Sequence, residues 1–134
     1  MKAVYVGIIP YNRKKARTKI GESNQKSITN RMAVLRQVEG GKFKLVKYLV
    51  LKDNCESVTK VIEGYVRWQL EKIGYENVGN DHFEWESPAS ERQADYKEFV
   101  DYFLKFAVRG CEIFGIDYEI CDPDPTWKTK LDAK

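Results

Sequence analysis

KAVYVGIIPYNRKKARTKIGE, residues 2–22, reads as two strands joined by a polar, basic connection. Residues 2–9 are rich in β-branched and apolar side chains, which suit a pleated surface buried on both faces. TKIGE at 18–22 is a short second strand closed by Gly21. Together they predict a hairpin whose loop exceeds the tight two-residue turns. Ser27 then supplies an N-cap for a helix over 28–38, and Gly40-Gly41 stops it. KFKLVKYLVL at 42–51 is the most strongly β-patterned run and is expected at the centre of the sheet. Asp53 with Glu56 has the spacing of a capping box. It predicts a helix through Lys72, with Val58, Val61, Ile62, Tyr65, Val66, Leu70 and Ile73 at helical spacing. HFEWE at 82–86 predicts a short edge strand. Ser87-Pro88 predicts the start of a long aromatic helix that stops at Gly115. DYEIC at 117–121 predicts a last strand. The expected fold is α+β: a small mixed β-sheet with helices packed on it, in the order β-β-α-β-α-(β)-α. Residues 1–116 form one domain, and 117–134 add the short strand and a loosely held tail.

Composition narrows the function. At 134 residues, 43% hydrophobic and 13% aromatic, the chain can bury a core and falls outside the disordered class. No apolar run approaches the about 18 residues a membrane helix needs, and no secretory leader is expected at the N-terminus. Cys55, Cys111 and Cys121 are an odd set without CxxC spacing, which points to free thiols in a reducing, cytoplasmic setting. With one histidine, a Cys/His zinc site is not expected. The net charge of +3 is unevenly placed. Through Glu39, nine Lys and Arg residues face two glutamates, giving +7, while the remainder carries −4. An anionic partner at one end of the molecule follows from that asymmetry, although a solubilising surface would look the same.

The order of motifs resembles the GIY-YIG nucleases. Ala3-Val4-Tyr5 stands where GIY would be, and Lys19-Ile20-Gly21 where YIG would be. Arg31 lies in the following helix, and Glu63 in the helix after the central strand. His82-Phe83-Glu84-Trp85 is similar to the acidic-Trp segment of phage-associated branches, which often read KIG. The resemblance covers roughly residues 3–86. It implies a metal-dependent endonuclease hydrolysing phosphodiester bonds in DNA, of phage or mobile-element type, with catalytic residues Tyr5, Lys19, Arg31 and Glu63.

The chemistry suits those residue types. A carboxylate such as Glu63 can hold one Mg²⁺ (or Mn²⁺) that keeps most of its waters. A guanidinium such as Arg31 matches phosphate oxygens and stays charged. Tyr5 would orient the attacking water. Lys19 stands at the position of the general base, and either accepts a proton or binds phosphate as a cation. Arg13, Lys14, Lys15 and Arg17 form a basic cluster suited to nucleic-acid phosphates. Tyr11, Asn77, Asn80 and His82 are accessory candidates, each with a structural alternative in turn or core. Partners implied are DNA and, because so small a domain leaves little room for separate recognition, a second copy or a partner protein. The alternative is a catalytically decayed module of the same fold that binds nucleic acid or inhibits a host defence complex, favoured by lysine in place of tyrosine.

Overall fold

The computed structural model describes residues 1–10, 13–24 and 43–123. Strands β1 (Ala3–Ile8), β2 (Lys15–Ser23) and β3 (Lys44–Lys52) are followed by helix α1 (Val58–Lys72). The hairpin β4 (Asn77–Gly79) and β5 (His82–Glu86), helix α2 (Arg92–Phe114) and strand β6 (Asp117–Cys121) complete the order. The six strands form one sheet, β4-β5-β2-β1-β3-β6. Every pairing in it is antiparallel, so the α+β class stands while the expected mixed sheet is replaced by a purely antiparallel one. The expected helix over 28–38 lies outside the described residues.

The two strands of the opening stretch are the middle of the sheet, not β3, which lies next to the β6 edge. Likewise HFEWE is not an edge strand, because β4 covers its outer side. The basic connection is shorter than its composition suggested. β2 begins at Lys15, where the ladder to β5 pairs Lys15 with Glu86 and Arg17 with Glu84.

Alternation on the central strands divides the core. Val4, Val6 and Ile20 point to the side covered by α1 and α2, where they meet Ile62, Val66, Leu70, Phe99 and Phe103. Tyr5, Ala3 and Ile9 point to the other side and pack with Phe43 and Leu45. Each large side chain removed from water in this way contributes about 1.5–3 kcal/mol. On α1 the predicted stripe is buried at Val58, Ile62, Val66 and Leu70, while Val61 and Ile73 are exposed. Of the aromatic residues of α2, Tyr96, Phe99, Phe103 and Phe106 are buried, whereas Phe114 is exposed. Trp85 stacks on Phe99 at 5.5 Å, which assigns it to packing, whereas Trp68 is exposed beside the Lys72 ammonium.

The helix boundaries show where local signals were outweighed. The Asp53–Glu56 capping box does not form. Asp53 Oδ1 instead accepts from Cys55 N–H, and α1 starts at Val58. Pro88 precedes α2 in a turn, with Glu91 N–H donating to its carbonyl. Gly115 does end α2. It has φ of 67°, its N–H reaches Glu112 O, and the next N–H, from Ile116, reaches Cys111 O. That is the double bond pattern by which a left-handed residue closes a helix.

Candidate active site

Paired residues on neighbouring antiparallel strands share a face. Tyr5 is opposite Gly21 and Gly7 is opposite Lys19, so Tyr5, Lys19 and Gly21 stand on the side of the sheet away from α1. Glu63 nevertheless reaches them, because the β5 ladder on β2 ends at Lys19. Past that point Ile20 N–H still donates to Asp81 O at 3.1 Å, and α1 meets β2 at Glu22. Thr59 Oγ1 donates to Glu22 Oε2 at 2.7 Å, and Asn24 Nδ2 donates to Thr59 Oγ1 at 3.2 Å. One helical turn further on, Glu63 enters the gap between helix and strand. The result is a cleft of about 380 Å³ lined by Tyr5, Lys19, Ile20, Gly21, Glu22, Lys60, Glu63, Arg67 and Asp81.

Gly21 lets this cleft have Tyr5 as its floor. A Cβ at Gly21 would fall within 2.5 Å of Tyr5 Cζ and closer still to its hydroxyl. The ring of Tyr5 is wholly buried and meets Phe43 edge-on at 6.1 Å between centroids. Lys19 Nζ donates to Asn80 O at 2.8 Å.

Glu63 lies beside Ile62 at the margin of the apolar stripe and is buried there. It is 8% exposed, and its Oε1 is buried with no hydrogen-bond donor among the described residues. Its Oε2 lies 3.5 Å from Arg67 Nη1, one helical turn on, and the same nitrogen lies 3.4 Å from Asp81 Oδ1. Burial, the hydrogen bond to Asp81 and the charge of Asp81 together push the Glu63 carboxyl up to about 8. Burial also pushes Asp81 up, but the hydrogen bond from Glu63 and the charge of Arg67 outweigh it and hold Asp81 below the usual carboxylate range. Glu63 is therefore held towards its protonated form and Asp81 towards its ionised form. Burial disfavours the Arg67 charge, and Glu63 and Asp81 more than restore it.

A two-residue turn aims Asp81. Asn80 and Asp81 have φ of 53° and 60° between the paired residues Gly79 and His82, the hairpin turn in which both central residues are left-handed. Asn and Asp tolerate that conformation better than other side chains. Asn77 supports the turn, accepting Gly79 N–H at 2.9 Å and donating to Asp81 Oδ1 at 3.4 Å. His82 is buried, with Nδ1 at 3.1 Å from both Gly79 O and Asn80 O, so it braces the same turn.

The cleft thus brings together Tyr5, Lys19 and Glu63, with the Asn80 carbonyl at its rim; Asn77 and His82 stand behind it. Arg31 and Tyr11 lie outside the described residues. The basic cluster does not line the cleft. Arg13 and Lys14 lie at the far end of the hairpin, and Arg13 O accepts from Arg92. Lys15 is 3.4 Å from Glu84. Six residues of strand separate Lys15 from Gly21, about 20 Å at the usual rise. Arg67, Asp81, Lys60 and Glu22 complete the lining without having been singled out in the sequence. For Arg67 a signal existed, since position i+4 from Glu63 shares its helix face.

Among the described residues no group of three or more His, Cys, Asp or Glu side chains is placed to enclose a metal ion. A hard divalent cation that retains its waters needs fewer protein oxygens. The Glu63 and Asp81 carboxylates, which flank Arg67 Nη1 at 3.5 and 3.4 Å, offer oxygens of that kind, so the residues present fit such a cation. No family model, curated protein or solved structure matches the chain. No helix among the described residues is long and apolar enough to cross a membrane.

Proposed function

We propose that this chain is a metal-dependent endonuclease that hydrolyses phosphodiester bonds in DNA. The observation that carries this reading is the meeting of Tyr5, Lys19 and Glu63 in one cleft, although they come from two strands and a helix far apart in sequence. A bound Mg²⁺ or Mn²⁺ would supply charge stabilisation at the scissile phosphate and its leaving oxygen. Glu63 would hold that cation by its carboxylate. Lys19, fixed by the Asn80 carbonyl and near Asp81, acts as an ammonium that grips a phosphate oxygen; these neighbours suit a cation better than a free amine. Arg67 and Lys60 add positive charge along the same wall, which favours the extra negative charge of the transition state. Tyr5 presents its hydroxyl at the floor and orients water, and Arg31 has the role of a second phosphate clamp.

A second reading, a module that binds without cutting, is favoured by one observation. Arg67 already places a cation between the two acids, so the site is neutralised internally. Incubation of plasmid and oligonucleotide DNA with the protein in Mg²⁺ or Mn²⁺, and in chelator, separates the two. Cutting that needs the cation and is lost in Glu63→Gln supports the nuclease. Binding of DNA with no cutting of any DNA form under these conditions refutes it in favour of the module.

A further inference from the structure

We propose that Asp81 is a second carboxylate ligand of the divalent cation held by Glu63, and that Arg67 fills this two-carboxylate site until the cation displaces it. The inference rests on the cation-binding role given to Glu63 above, and it concerns a residue that the motif order does not reach.

Three observations, on α1 and on the β4–β5 turn, carry it. Glu63 is more than nine-tenths buried, lines the cleft, and has an oxygen with no donor among the described residues. A buried carboxylate oxygen without a donor is disfavoured and suits the approach of a positive group. Secondly, Asp81 is delivered to the same point by a turn with two consecutive left-handed non-glycine residues. Such backbone is disfavoured, and here it is reinforced by Asn77 and His82. Thirdly, Arg67 spans both acids through one nitrogen at 3.4 and 3.5 Å. These separations are long for charge-assisted bonds, which run at about 2.7–2.9 Å. The guanidinium neutralises the pair without closing on either oxygen, and its side chain is 42% exposed, which leaves it free to swing outward. A compact cation held by one oxygen from each acid would replace that loose arrangement. Arg67, released into the cleft beside Lys60 and Lys19, would then face the substrate phosphate.

The test is binding of Mn²⁺ to the full chain without nucleic acid, by titration calorimetry and by loss of the free-ion paramagnetic resonance signal. Asp81→Asn is the informative variant, because asparagine tolerates the left-handed turn and keeps its shape. The expected result is Mn²⁺ affinity lower by at least about 10-fold in Asp81→Asn, the scale on which metal-site neighbours act. Arg67→Gln should bind Mn²⁺ several-fold more tightly, since it removes the competing cation. Equal affinity in wild type and Asp81→Asn, with both folded by circular dichroism, overturns the proposal. So does weaker Mn²⁺ binding in Arg67→Gln. Calcium, titrated in parallel, repeats the comparison with a cation that tolerates looser geometry. DNA cleavage by wild type that survives unchanged in Asp81→Asn, with Mn²⁺ affinity also unchanged, removes this inference and leaves the nuclease reading standing. Loss of affinity in Asp81→Asn with no cleavage by wild type removes the nuclease reading and leaves the cation site.

Discussion

Replacing Glu63 by glutamine should make the cation-free protein more stable in alkaline solution, and the size of the gain follows from the burial of one carboxyl. Glu63 ionises at about 8 in the folded chain and at its ordinary 4.5 when unfolded. A group whose folded value is raised stabilises the fold fully below the unfolded value. That contribution then declines as pH rises from about 4.5, and it is gone above about 8. At about 1.4 kcal/mol per pH unit, this interval amounts to about 5 kcal/mol if the side chain stays in place. It is less to the extent that the ionised carboxylate swings into the cleft. Asp81 works in the opposite sense. Its lowered value gives stability that is present above the ordinary carboxylate range and is lost only at acid pH, so it does not slope between pH 5 and 8. Glu63→Gln has no proton to lose, and over that window its stability should stay flat while the wild type falls. Urea unfolding at half-unit steps of pH, in chelator, measures the difference directly. Parallel curves for the two proteins between pH 5 and 8 would refute the burial that raises the Glu63 carboxyl. Adding Mn²⁺ at pH 8 should raise the wild-type midpoint and leave Glu63→Gln where it was.

Gly21→Ala should destabilise by about 1–3 kcal/mol, the range for overpacking, because the new methyl meets the Tyr5 ring. In Tyr5→Ala the same change should cost far less, and a double-mutant cycle by chemical denaturation reads the coupling. Lys19→Arg keeps the charge, so it should retain much of the cleavage rate in a single-turnover assay, whereas Lys19→Met should lose it; loss in both would return Lys19 to the role of base. Neutralising Arg13, Lys14, Lys15 and Arg17 together should weaken DNA binding for all sequences alike. The slope of log affinity against log salt should become shallower, because fewer counterions leave the DNA phosphates on binding.

What was legible in the sequence was whatever depends on neighbours along the chain. DYEIC and HFEWE became strands with the expected bounds, and Gly115 closed its helix, because period and punctuation are local properties. Sheet order is not local. KFKLVKYLVL has the strongest pattern yet lies off centre, since position in a sheet is set by which strands find partners on both edges. The capping box failed for a similar reason. Asp53 could serve either a helix end or a tight turn to Cys55, and tertiary packing chose the turn. Within the candidate site, Tyr5, Lys19 and Glu63 were reached through motif order, while Asp81 was missed. Gly79-Asn80-Asp81 carries the residue types of a tight hairpin turn, but the strand before it is three residues long, too short for alternation to register. The burial of Glu63 was not legible, because the strand that meets its helix there is distant in sequence.

The position of β1 and β2 in the middle of the sheet has a consequence for how the cleft breathes. Amides in the interior ladder of a sheet exchange with solvent only through large openings, while a turn at an edge opens at little cost. Tyr5 and Lys19 therefore belong to the interior ladder, and Asp81 to an edge turn that is tied to that ladder where Ile20 N–H donates to Asp81 O at 3.1 Å. Amide exchange is expected to be faster at the β4–β5 tip than along β1 and β2, so the two walls of the cleft differ in how deeply they are anchored.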